Sequence, residues 1–228
     1  MEWAEKIQGI VTDKAIYTDN WVIGALLLCF LIIVPTIAYG NSFLGGLSKS
    51  FFQTRESVDT EEAYTNASEY IMRLALLIGS FITTGVAMTT FIRKSQPEST
   101  YPIYQLMFLF PAFTAVFFVI RQTVFSLVNK IFFGNPHATV WRYHYSSLTI
   151  LFYIPFYIIT LAFVFFQLDP KTFLITTSLL LVLFEMCLFF KGFCIFYVKK
   201  YGGLQLFIYL CTLELMPLLL VGKALVLF

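Results

Sequence analysis

The chain has 228 residues, of which 59% are hydrophobic, 19% aromatic and only 12% charged. A soluble domain carries about 25% charged residues, and 27 phenylalanines are too many for one soluble core of this size. The formal net charge of +2 comes with no basic patch that would suggest a nucleic-acid partner, and the long apolar blocks argue against a β-barrel, whose strands alternate over about 10 residues.

Apolar blocks of about 18 residues or more read as transmembrane helices, because about 20 residues at helical rise span the hydrocarbon. The expected fold class is therefore all-α, a polytopic transmembrane helix bundle of about six spans forming a single membrane domain over residues 1–228. Residues 1–20 are polar and mixed in charge, with Trp3, Ile7, Ile10 and Val11 at helical spacing. They read as an uncleaved tail that lies on the membrane surface. The spans follow at Trp21–Tyr39, Tyr70–Ile92, Ile103–Leu127, Tyr145–Leu168, Thr172–Phe196 and Leu204–Leu227. Pro35, Pro111, Pro155 and Pro217 interrupt the first, third, fourth and sixth of them. Short connections make the last three spans antiparallel neighbours.

Between the first two spans, residues 40–69 form a polar connection. Its second half is acidic, with Glu56, Asp59, Glu61, Glu62 and Glu69, and reads as a solvated loop. Between the third and fourth spans, Gly134-Asn135-Pro136 is a turn signal. Trp141, Tyr143 and Tyr145 are expected at headgroup level. Nine of the 15 Lys and Arg residues fall on the side of the first, third and fifth connections. The positive-inside bias places that side in the cytoplasm and both termini in the periplasm.

Few residues carry candidate chemistry. Glu185 and Glu214 each lie near the middle of an apolar span. A charged acid at the bilayer centre costs about 2.5–3.5 kcal/mol on insertion scales. Spans five and six bring the two to similar depth, where one carboxyl can stay protonated and bond to the other. Pro217 frees the Leu213 carbonyl beside Glu214, and Thr212 is a further partner. Two readings stay open: a polar clasp between helices, and a proton- or ion-handling site. Lys191 lies six residues after Glu185, nearly opposite on the helix. It either snorkels to the boundary or reaches an acid on another helix. Arg142 and His144 read as lipid-headgroup contacts. Ala75, Gly79 and Thr83 follow small-xxx-small spacing, a close helix-packing face. The four cysteines sit in apolar blocks without CxxC spacing and read as packing residues, with no metal site. No haem or other cofactor is expected, and standard catalytic motifs are missing.

Two stretches, "SFFQTRES" after the first span and "FIYLCTLELMPLLLVGKAL" at the close, carry a resemblance. Together they resemble an uncharacterised family of integral membrane proteins of Bacteroidota, catalogued as a domain of unknown function. The family's terminal Leu-Tyr-Leu-Cys-Thr-Leu-Glu-x-x-Pro run maps here onto Tyr209, Leu210, Cys211, Thr212, Glu214 and Pro217. The resemblance implies a Gram-negative inner-membrane location and supplies no activity. The expected function is that of a non-enzymatic inner-membrane protein, a subunit or accessory of a cell-envelope complex whose partners are the bilayer and other membrane subunits. The alternative is a proton- or ion-coupled transporter or channel component using Glu185 and Glu214. A third reading is an enzyme acting on lipid through Arg142 and His144.

Overall fold

The computed structural model describes residues 20–39, 67–95, 102–132 and 135–196. They form five helices: α1 (Asn20–Tyr39), α2 (Ala67–Ser95), α3 (Ile103–Phe132), α4 (Asn135–Phe165) and α5 (Pro170–Phe196). Among the described residues there is no strand, and α2 to α5 are each long and apolar enough to cross a membrane. α1 contributes a shorter apolar stretch, Asn20–Thr36. Five of the expected spans thus correspond to helices. The sixth, Leu204–Leu227, lies outside the described residues, as do the tail 1–19 and most of the acidic connection.

Two helices form the centre. α2 packs against α1, α3 and α4, and α4 packs also against α3 and α5. Of the apolar windows, 44% of α2 and 39% of α4 are buried, against 6% of α3 and 11% of α5. α2 can be central because its inner face is small. A Cβ on Gly79 would lie 2.6 Å from the Tyr153 hydroxyl of α4, and a Cβ on Gly85 would overlap the Pro111 ring of α3. In lipid, where hydrophobic drive between helices is weak, such close approach is how helices gain packing energy. The helix is rich in hydroxyls, and most of them are satisfied locally, although the buried Thr89 hydroxyl has no hydrogen-bond partner among the described residues. Thr83 donates to the Gly79 carbonyl at 2.9 Å, Thr84 to Ser80 at 2.8 Å and Thr90 to Val86 at 2.8 Å. Each i to i−4 bond hides a polar group that hydrocarbon cannot solvate.

The predicted proline interruptions within α1, α3 and α4 do not end these helices; Pro35, Pro111 and Pro155 all lie inside them. Pro111 serves as the knob that fills the hollow over Gly85. The third and fourth spans are longer than their apolar runs. α3 continues to Phe132 and α4 starts at Asn135, so the stretch read as a connection, including Trp141 and Tyr143, is helical. Nothing between Pro136 and Tyr145 breaks a helix, and Pro136 suits a first turn, where its missing N–H is not needed.

The turn between α4 and α5 is tight. Phe166 N–H bonds to the Ala162 carbonyl at 2.9 Å, and Gln167 takes the left-handed conformation with φ 54°, the usual way to leave a helix. Asp169 then precedes Pro170, the favoured residue type for a first helical position. From α2, Lys94 donates to the carbonyls of Phe163 (3.1 Å) and Leu168 (3.2 Å) and lies 4.3 Å over the Phe163 ring. A cation at a helix C-terminus satisfies end carbonyls and meets the negative end of the macrodipole. Phe163 stacks on Phe173 at 4.0 Å, tying α4 to α5 beneath it. Lys94→Met is expected to lower stability by about 1.5–3 kcal/mol, since hydrogen bonds from a charged group contribute about that much, and Lys94→Arg to restore most of it. Thermal unfolding in mild detergent checks both.

Candidate functional site: a polar centre inside the bundle

Glu185 lies in the middle of α5, and its partner is Arg121 of α3. Nη2 of the guanidinium donates to Oε1 at 3.4 Å, with the two side chains only 14% and 16% exposed. Arg121 also lies 5.1 Å from the centroid of the Tyr145 ring. Around it stand Phe118, Phe152 and Phe184: Tyr145 meets Phe118 at 5.6 Å and Phe184 at 6.4 Å, while Phe152 meets Phe184 edge-on at 5.4 Å. The ion pair therefore joins the two peripheral helices beside an aromatic cluster drawn from α3 (Phe118), α4 (Tyr145 and Phe152) and α5 (Phe184).

Why these residues meet is a matter of register. Glu185 is 11 residues from the end of α5 at Phe196, and Arg121 is 11 residues from the end of α3 at Phe132. Both helices end on the same side of the bundle, so equal spacing gives equal depth. Each charge alone in this medium is costly. Together they offset much of that cost through Coulomb attraction in low dielectric. The separation is longer than the roughly 2.7–2.9 Å of an optimal charge-assisted bond.

A second polar group stands closer to the bundle end. Arg73 of α2 donates from Nη1 to the Ser147 hydroxyl of α4 at 3.0 Å. His144 lies one turn before Ser147, and both Arg73 and Lys191 of α5 are near enough to act on it electrostatically. Arg73 is 8% exposed, His144 8% and Lys191 4%. Thus three basic side chains from three helices are enclosed together. Lys191 does not reach out to the boundary. Helical side chains lean toward the helix N-terminus, which biases a lysine near the C-terminal end of α5 back into the bundle. His144 and Tyr145, expected at headgroup level, are likewise enclosed by protein. The reason is that α4 is central and its first membrane turn faces α2, α3 and α5. The Arg142 side chain lies outside the described residues.

The third group is the small-residue face. The Gly79 carbonyl accepts from the Cys29 thiol of α1 at 3.6 Å as well as from Thr83, and Cys29 Sγ is 3.5 Å from the Thr83 hydroxyl. Tyr153 of α4 closes over the same spot. Tyr157, one turn further, donates to the Leu26 carbonyl at 2.9 Å. At Gly79 and Thr83 the face is thus occupied from within the chain, by α1 through Cys29 and, at Gly79, by α4 through Tyr153.

Glu214, Thr212 and Pro217 lie outside the described residues. Arg121 was not singled out from the sequence; the available signal was its place inside the third apolar span, as Glu185 lies inside the fifth.

No curated protein and no solved structure matches the chain. The model of a family described as a domain of unknown function (DUF4271) matches residues 22–225, nearly the whole length, and the chain belongs to that family.

Proposed function

We propose that this membrane protein is a non-enzymatic, multi-spanning subunit or accessory of a cell-envelope complex in a Gram-negative inner membrane. The observation that supports this best is the state of Glu185. A carboxylate that moves protons or ions needs a wet approach, whereas one that clasps helices is covered and bonded. The Glu185 side chain is largely enclosed, with 16% of it exposed, and is paired with Arg121. A sixth span at Leu204–Leu227, periplasmic termini, and docking of partners through residues 1–20 and 40–69 complete the proposal. Those polar segments are the parts of the chain that its composition sends out of the bilayer.

Purification in mild detergent, followed by identification of bound proteins, tests the reading. A defined membrane partner is expected, and deletion of Asp59–Glu69 is expected to remove it while leaving insertion intact. Recovery of the chain alone from mild detergent, with every bound protein absent, counts against a subunit role. Reporter fusions after Phe228 check topology, with a periplasmic signal expected.

The second reading is a proton- or ion-coupled transporter component using Glu185 and Glu214. It is favoured by one fact, that an ionisable pair is kept inside apolar spans at all. Glu214→Gln separates the two. As part of a clasp, the glutamine keeps shape and hydrogen bonding, so folding and complex formation persist, while Glu214→Leu destabilises assembly. As part of a proton path, both variants insert normally and both abolish proton or ion flux in reconstituted vesicles.

A further inference from the structure

We propose that the apolar segment Leu204–Leu227 docks along α5, with Glu214 as the acid that answers Lys191. The inference rests on the sixth span proposed above and adds its seat and its partner. The first ground is charge. Arg73, His144 and Lys191 are enclosed together, and each has a further partner within the chain. Arginine and lysine side chains shut away from water need an acid nearby. Among the acids whose side chains are described, Glu185 is taken by Arg121 and Asp169 stands at the opposite end of α5. The balancing acid therefore belongs to a segment outside the described residues, and of those acids Glu214 is the one within an apolar run. Glu69, one turn before Arg73 in α2, is placed to serve Arg73 at the water boundary.

The second ground is reach and depth. α5 ends at Phe196, and only residues 197–203 separate it from Leu204. A linker of that length extends to about 25 Å at most, and packed helices stand about 8–10 Å apart, so the segment can return directly beside α5. Lys191 is five residues from the end of α5 and Glu214 ten residues from Leu204, depths of about 8 and 15 Å at helical rise. Side chains lean toward the N-terminus of their own helix. In an antiparallel pair this carries the lysine deeper and the acid shallower, so the two converge across the difference. Glu185 is at nearly the depth of Glu214, but its charge is already met by Arg121.

The third ground is the surface that receives the segment. Counted around α5, Glu185 turns toward α3, while Leu183, Cys187 and Phe190 lie on the other flank, next to Lys191. Leu183 is 48% exposed and Phe190 60%, an apolar flank that suits an apolar span.

The test uses the full-length chain in mild detergent. Lys191→Met and Glu214→Leu are each expected to lower the thermal midpoint by roughly 5 °C or more, as for a buried charge left without its partner. The double variant is expected to recover most of that loss. Where a single variant fails to fold, recovery of folded protein by the double is the same result. A double variant no better than the worse single overturns the pairing, as do single variants that match the parent. So does rescue of Lys191→Met by Glu69→Gln and not by Glu214→Leu, which assigns the acid to the first connection. Reporter fusions after Gly203 and after Phe228, read alongside, separate this pairing from the span on which it rests. Opposite sides with no rescue overturn the pairing alone. The same side for both overturns the sixth span, and its seat on α5 with it.

Discussion

Arg121→Leu is expected to lower the stability of the folded bundle by about 3–5 kcal/mol, the cost of leaving a buried charge without its partner. Glu185→Leu should lower it by a similar amount for the same reason. The double replacement should lose much less than the sum, because it removes both desolvated charges at once and leaves two apolar side chains near the Tyr145 ring. A double-mutant cycle in mild detergent, read by thermal or denaturant unfolding, measures the coupling. Coupling near zero would mean that the 3.4 Å contact contributes nothing and that α3 and α5 are held by their packing on the centre alone. Glu185→Gln should fall between these outcomes, since it keeps an acceptor and drops the charge.

Gly79→Ala is expected to destabilise by about 1–3 kcal/mol, the usual range for overpacking a filled interior. Its Cβ would lie 2.6 Å from the Tyr153 hydroxyl and 3.1 Å from the adjoining ring carbon, so Tyr153 or the whole of α4 must shift. The compensating change is specific. Tyr153→Phe removes the oxygen that meets the new methyl group, and Gly79→Ala with Tyr153→Phe should recover part of the loss. Gly85→Ala, which runs into the Pro111 ring, should be as costly and should be relieved by Pro111→Ala instead. If Tyr153→Phe rescued both glycine variants equally, the two hollows would not be separate contacts to α4 and α3.

The class of the fold was legible in the residues. Long apolar runs with few charges have only one way to satisfy their backbone in lipid short of closing a barrel, and that is to be helical. The starts and ends of α1, α2 and α5 follow from where those runs begin and end. The ends of α3 and α4 do not, because a helix with no breaker in its way continues past the apolar run, as α4 does through Trp141. The small-residue face of α2 was also legible, since Gly79 and Thr83 stand one turn apart. That it serves α1 and α4 was not, because spacing identifies a face and says nothing of what covers it.

The candidate site divides the same way. That Glu185 is held inside the protein follows from its place in an apolar span, where an ionised acid facing lipid would be too costly. Its pairing with Arg121, and the enclosure of Lys191 with Arg73 and His144, depend on which helices are central and at what depth each residue sits. A one-dimensional pattern gives the periodicity of each helix, but depth and neighbour are properties of the assembled bundle. Helix order alone does not yield them, since α3 and α5 are separated in the chain by the whole of α4 and still meet directly through Arg121 and Glu185. By itself, then, the sequence determined the membrane, the helices and the need to shelter each embedded charge. The tertiary structure decided which charge shelters which, because Coulomb energy depends on distance and burial, and both arise only when the helices pack.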